Sequence, residues 1–244
     1  CESTCSKCAS VCTPCNMDRQ APTPLLGDDI TQQVLHLSGG SRRLLGIVGP
    51  PGSGKSTLAG ALVDALGPRA QAVPMDGFHL AQCELHRLGR TGRKGAPDTF
   101  DAAGYAHLLR RLKQQSPHET VYAPDFRREI EEPVAGAIAI HPQTPLLVTE
   151  GNYLLLEDDL AWAPVADLLD EVWYLEVDPA LRRQRLCERH MHFGRTREQA
   201  LSWIEATDEP NARRIQIFAH LATRQVLWEE RAGRFVFRQP GNSR

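Results

Sequence analysis

Apolar residues along this chain follow two spacings. Unbroken runs at 44–48, 145–149 and 171–177 read as strands buried on both faces, and shorter runs at 70–75, 135–140 and 234–237 as further strands, with an extended piece at 120–122. Helical spacing appears between them. It predicts helices over 28–37, opened by Asp28 and Asp29 and ended by Gly39-Gly40, over 57–66, closed by Gly67-Pro68, and over 102–112, started by Asp101. Three more helices are expected over 179–192, over 196–206 and from 210 to about 224, with Asp208-Glu209-Pro210-Asn211 between the last two. Residues 82–97 are polar and dotted with glycine. Strands alternating with helices predict an α/β domain in three layers, with a mostly parallel core sheet of five strands.

One connection in this pattern carries a phosphate-binding signature. Between the strand at 44–48 and the following helix stand Gly49, Pro50, Pro51, Gly52, Ser53, Gly54, Lys55 and Ser56, which fit the Walker A spacing G-x-x-x-x-G-K-[ST]. Glycines let such a loop curl so that backbone N–H groups wrap phosphates, and the helix N-terminus adds partial positive charge. Lys55 is expected to reach the β- and γ-phosphates of ATP, and Ser56 to place its hydroxyl on Mg2+. Thr57 would serve only if the register shifted by one. The loop implies nucleotide binding and leaves the use of the nucleotide open.

Other strand ends add acids near this loop. The strand at 70–75 delivers Asp76-Gly77-Phe78-His79 at its carboxyl end, the end at which parallel sheets bind ligands. Asp76 there suits a proton acceptor, a holder of metal-bound water, or simply a turn or cap aspartate. Glu150, at the tip of the 145–149 strand, holds the Walker B position and is a candidate for the Mg2+ shell. Arg182, Arg185 and Arg189 fall at i, i+3 and i+7 on one helical face, as a lid over the triphosphate or as an exposed basic face. The cations Arg87, Arg90, Arg93 and Lys94 read as a phosphate contact or as solvated loop charge. His190-x-His192 reads as surface. Candidate acceptor contacts are Asp76, His79, Arg93, Asp98, Tyr122, Asp125 and Asn152, and nothing in these loops singles out the acceptor.

Composition narrows the partners. A net charge of −2 over 244 residues gives no electrostatic footprint for nucleic acid or an anionic membrane, so a small molecule is the expected partner, and a homodimer is left open. No apolar run approaches the length of a membrane span, and Cys83 and Cys187 are the only cysteines after residue 15, which suits a reducing, cytoplasmic setting. Cys1, Cys5, Cys8, Cys12 and Cys15 crowd the start. Their paired C-x-x-C spacing has too short a spacer for a zinc fold, so residues 1–16 are read as a leader outside the working protein, with Met17 as a start and the domain over 17–244.

Assembled in order, these residues resemble the phosphoribulokinase, uridine kinase and pantothenate kinase group of P-loop kinases over roughly 25–240. The likeness is carried by Gly49 to Ser56, Asp76-Gly77-Phe78-His79, Pro97-Asp98-Thr99-Phe100-Asp101, Glu150-Gly151-Asn152-Tyr153 and the arginine helix from Arg182. A bacterial branch similar to nucleoside kinases and fructose transport system kinases shares Arg93-Lys94-Gly95-Ala96-Pro97-Asp98, Tyr122-Ala123-Pro124-Asp125-Phe126 and Asp208-Glu209-Pro210-Asn211-Ala212-Arg213. The resemblance implies Asp76 as base, Lys55 and Ser56 as phosphate and Mg2+ contacts, Glu150 as a metal-shell acid, and a lid over about 182–196 with Arg182 and Arg185 catalytic. The expected activity is transfer of the γ-phosphoryl of ATP to a hydroxyl of a sugar, nucleoside or pantothenate-like alcohol. A nucleoside monophosphate kinase and an ATP-dependent switch or chaperone are the rival readings.

Overall fold

A computed structural model describes residues 25–239, so the five leader cysteines and Met17 lie outside the described residues. The elements run β1 (Leu25–Leu26), α1 (Asp28–Leu37), β2 (Arg43–Val48), α2 (Lys55–Leu66), β3 (Ala70–Ala72), α3 (Gln82–Arg87), α4 (Ala102–Lys113), β4 (Val121–Arg127), β5 (Glu132–Ile140) and β6 (Leu146–Gly151). They continue with β7 (Glu171–Glu176), α5 (Pro179–His192), α6 (Arg197–Trp203), α7 (Glu209–Ile217), β8 (Arg224–Glu229) and β9 (Arg234–Phe237).

The main sheet has seven strands in the order β1-β9-β8-β7-β2-β6-β3. β8, β7, β2, β6 and β3 are mutually parallel and form the expected five-stranded core, which an antiparallel β9 and a short β1 extend at one edge. Alternate residues of the inner strands go to opposite faces. Leu44 and Val48 join Val172 and Tyr174 in one cluster with Tyr105 and Leu109 of α4, while Leu45 and Ile47 join Trp173 and Leu175 in another with Val34 of α1 and Leu62 of α2. The sheet is therefore covered on both faces, which gives the three layers, and each fully buried leucine contributes about 1.5–3 kcal/mol.

Two strand expectations change. The helix expected to about 224 ends at Ile217, and β8 follows as a strand with no sequence signal, because Arg-Gln-Val-Leu-Trp-Glu buries only Val226 and carries no continuous apolar run. The 135–140 run is not in the core sheet at all. It pairs antiparallel with β4 in a separate hairpin, and its apolar character comes from small residues such as Ala135 and Ala137 that stay exposed.

Local caps set where the helices begin. Asp101 accepts from the Gly104 N–H, Asp178 from those of Ala180 and Leu181, and Thr196 forms a capping box with Gln199. The two helices expected around Asp208 to Asn211 are instead continuous: α6 runs through a π-helical segment, Ile204–Asp208, into α7. Pro210 is tolerated because it stands in the first turn of α7, just after the widened segment. The stretch at 82–97 also holds more structure than a loop, since it begins with α3.

Candidate active site

The phosphate loop leaves β2 at Val48 and enters α2 at Lys55. Gly52 and Gly54 take φ of 78° and 96°, the left-handed region that glycine enters without penalty. At Gly52 a Cβ would also stand 2.7 Å from Leu186 Cγ, so α5 packs directly on the loop. Lys55 is buried, and its ammonium donates to the Pro50 carbonyl at 3.1 Å. Burial pulls it down to about 8, against the opposing pull of the Glu150 and Asp76 charges.

Parallel pairing places Ile47 opposite Glu150, which brings the tip of β6 beside the loop. Ser56 Oγ donates to Glu150 Oε1 at 2.8 Å, while Thr57 is exposed and does not line the cavity. Burial pushes the Glu150 carboxyl upward, and Asp76 adds to the shift, with Lys55 and Ser56 opposing it.

Asp76 sits in the single 3-10 turn, Met75–Phe78, that follows β3. A Cβ on Gly77 would lie 2.4 Å from the Pro124 carbonyl oxygen, so this turn and β4 touch backbone to backbone. Arg128, in the connection between β4 and β5, donates to Asp76 Oδ2 at 3.1 Å. His79 donates through Nδ1 to the Asp76 carbonyl at 2.7 Å and stacks between Phe100 and Phe126, and burial lowers its basicity.

These groups share a cavity of about 630 Å3, within the size range of small-molecule sites. Its lining brings together Pro51, Gly52, Lys55, Ser56, Asp76, His79, Glu150 and Asn152 of the residues expected from the sequence. It leaves out Arg93, Asp98, Tyr122 and Asp125: Arg93 pairs with Asp98 at 2.6 Å, Asp125 with Arg127 at 3.4 Å, and Tyr122 is 60% exposed on the hairpin. Of the arginine helix, Arg182 is buried in an ion pair with Glu209 at 2.6 Å and Arg185 reaches the Ser53 carbonyl at 3.4 Å. Arg189 instead lines the cavity, where burial and the nearby Arg128 charge lower its guanidinium.

The sequence reading passed over several cavity residues. His190, read as surface, has its Nε2 2.9 Å from Asp208 Oδ2, and both face the cavity with Thr207 and Asn211. Arg195 stacks over Trp203 at 3.9 Å, while Lys94, one of the loop cations the sequence did offer as a phosphate contact, lines the cavity 5.2 Å from the Phe126 ring centre. A signal for Arg128 existed in the charge-rich segment after Phe126, but its contact to Asp76 spans 52 positions and no local spacing reveals it. Among the described residues no cluster of three or more His, Cys, Asp or Glu forms a metal site, and no helix is long and apolar enough to cross a membrane.

No family profile matches the chain. Individual relatives do. A uridine kinase-like protein of Schizosaccharomyces pombe is 35% identical over 78% of this chain and 86% of its own length. YggC of Escherichia coli is 34% identical over 80% of this chain and 81% of its own. Among solved structures, a Silicibacter sp. TM1040 protein bearing the name of a fructose transport system kinase superposes with a TM-score of 0.70 at 36% identity, covering 78% of this chain and 94% of that one. YFH7 from Saccharomyces cerevisiae, at 19% identity and a TM-score of 0.68 over 78% of this chain and 94% of its own, shares the fold. With a phosphate loop, a strand-end acid beside it and relatives of this kind across most of its length, the chain belongs to the phosphoribulokinase, uridine kinase and pantothenate kinase group of P-loop kinases.

Proposed function

We propose that this kinase moves the γ-phosphoryl group of ATP to a hydroxyl of a small metabolite, with Asp76 as the base. The observation that carries the reading is the meeting of Asp76 with Lys55 and the Ser56–Glu150 pair in one cavity, although the two halves come from different strand ends. The phosphate loop and Lys55 hold the β- and γ-phosphates, and Arg189 faces the developing charge from α5. The acceptor oxygen attacks the γ-phosphorus as its proton passes to the Asp76 carboxylate. The bond from phosphorus to the β,γ-bridging oxygen breaks, and ADP leaves with that electron pair.

Ser56 and Glu150 offer two oxygen donors, which fits Mg2+, an ion that takes few protein ligands and completes its shell with phosphate and water. Bound there, the ion would neutralise phosphate charge. Lys55, buried and held by the Pro50 carbonyl, needs little reorganisation to meet an incoming phosphate.

The test is ADP release from Mg-ATP with ketoses, pentoses, nucleosides, nucleoside monophosphates and pantothenate as acceptors, with Asp76→Asn run beside the native chain. Stimulation by a hydroxyl acceptor that the variant loses supports the reading. Full activity in Asp76→Asn removes Asp76 from the role of base. Stimulation by a nucleoside monophosphate alone, indifferent to the substitution, would favour phosphate as acceptor.

A further inference from the structure

Arg128 holds one oxygen of the Asp76 carboxylate that the kinase reading uses as base. The guanidinium donates to Oδ2 at 3.1 Å, and an acceptor hydroxyl must approach the same carboxylate to lose its proton. Arg128 can yield without unfolding anything, since its side chain is 41% exposed and stands in the connection of a two-stranded hairpin outside the main sheet. Its new surroundings would be unfavourable. Arg189 and Lys94 line the same cavity, so a guanidinium parted from Asp76 meets two like charges in a partly desolvated space. Of the other carboxylates lining the cavity, Glu129 and Glu131 are exposed and screened by water, Glu150 is engaged by Ser56 and Asp208 by His190.

We propose that the acceptor carries a carboxylate or phosphate group in addition to its reacting hydroxyl, and that this anion replaces Asp76 as the partner of Arg128. The exchange leaves both groups with partners: the hydroxyl donates to the freed carboxylate, and the anion meets the freed guanidinium in the bidentate geometry Arg favours. Phe126 sets the direction, because its ring packs under both cations of that wall, Lys94 at 5.2 Å and Arg128 at 5.8 Å. Arg128 is thus a specificity-determining residue, and sugars or nucleosides without an anion are poor acceptors. The inference rests on the kinase reading above.

The experiment separates a bacterial small-molecule extract on an anion exchanger at neutral pH and supplies each fraction to the full chain with γ-labelled Mg-ATP. Label transfer is expected to compounds of the retained fraction. Treating that fraction with phosphatase beforehand separates the two anions: a phosphate-bearing acceptor is lost and a carboxylate-bearing one survives. Arg128→Gln should raise the KM for the retained acceptor by about 30- to 100-fold, the loss of a charge-assisted pair, with the KM for ATP within about threefold. Lys94→Gln, a second variant whose Nζ now donates to the Glu131 carbonyl, should raise the same KM by less. Transfer to the unretained fraction only, or an acceptor KM unchanged in Arg128→Gln, overturns the anionic acceptor and leaves the kinase reading standing. Transfer to neither fraction, with Mg-ATP still bound, overturns the kinase reading itself.

Discussion

The Ser56 hydroxyl and the Glu150 carboxylate are joined by a hydrogen bond of 2.8 Å, which ties the first turn of α2 to the tip of β6. The contact fixes two oxygens on one side of the phosphate loop before any ligand arrives. Glu150→Gln keeps the hydrogen-bonding shape and removes the charge. Its kcat should fall by about 100-fold and the Mg2+ concentration for half activity should rise, while ADP binding in metal-free buffer changes little. An unaltered Mg2+ titration would remove Glu150 from the metal shell.

Lys55→Ala and Asp76→Asn should fail in different ways. Without the ammonium, phosphate charge goes unmatched in a desolvated cavity, and kcat/KM should fall by about a thousandfold or more. Asp76→Asn removes the proton acceptor and the charge opposite Arg128 but touches no phosphate contact, so kcat should drop by about 100- to 10,000-fold with the ATP KM nearly unchanged. Steady-state kinetics with both substrates varied separates the two.

Arg182 and Arg189 share a helix face and should divide stability from activity. Arg182 is buried against Glu209 at 2.6 Å, so Arg182→Met strands a carboxylate and should cost about 3–5 kcal/mol. At roughly 2–4 °C per kcal/mol for a chain of this size, Tm should fall by about 6 °C or more. Arg189→Met relieves a guanidinium that burial disfavours, so Tm should hold or rise while kcat drops by at least about tenfold. Calorimetry beside kinetics decides, and a reversed pattern would return the lid role to Arg182.

Lys55 makes nucleotide binding depend on pH. Burial holds its ammonium near 8 in the free protein, and a bound phosphate favours the charged form. Below pH 8 the lysine is charged with or without nucleotide, so affinity is flat in this group. Above it, binding must take up a proton, and metal-free ADP affinity should fall by up to tenfold per pH unit, until pH passes the raised value of the complex. Calorimetric titration at pH 9 in buffers of different ionisation enthalpy should show that uptake, and Lys55→Arg should abolish it.

Gly77→Ala tests the junction of hairpin and base. The added Cβ would lie 2.4 Å from the Pro124 carbonyl oxygen, a backbone atom that cannot swing aside. A stability loss of about 1–3 kcal/mol and a raised acceptor KM are expected, with metal-free ADP binding intact. Unchanged acceptor kinetics would separate the hairpin from acceptor binding.

What the sequence disclosed and what it withheld follow from the range of each signal. α1, α2 and α4 were legible because their boundaries are local, an aspartate pair at one start, Gly67 at one end and the Asp101 cap at another. The phosphate loop was legible because its chemistry is written in consecutive residues. β8 was not, since a single buried valine gives no period to read. Arg93 and Asp98 looked like acceptor contacts in a charge-rich loop, yet they answer each other, as solvated loop charges commonly do. Arg128 and Asp208 were not assigned to the site for the opposite reason. Their partners, Asp76 and His190, stand 52 and 18 positions away, and only the folded hairpin and the packing of α5 against the π-helical segment bring them together.

The π-helical segment Ile204–Asp208 has a consequence at the level of the gene. A helix wound this way holds a residue more than α-helical winding needs, so losing one codon within it would bring α6 and α7 into α-helical register, with a kink where Pro210 then stands inside the helix. Deletions inside helices usually shift everything downstream, at 3.6 residues per turn, onto the wrong face. Here the shift would fall first on Thr207 and Asp208 and turn them away from the cavity. A single in-frame deletion is therefore a short evolutionary path by which a descendant could keep the fold and discard this wall of the site.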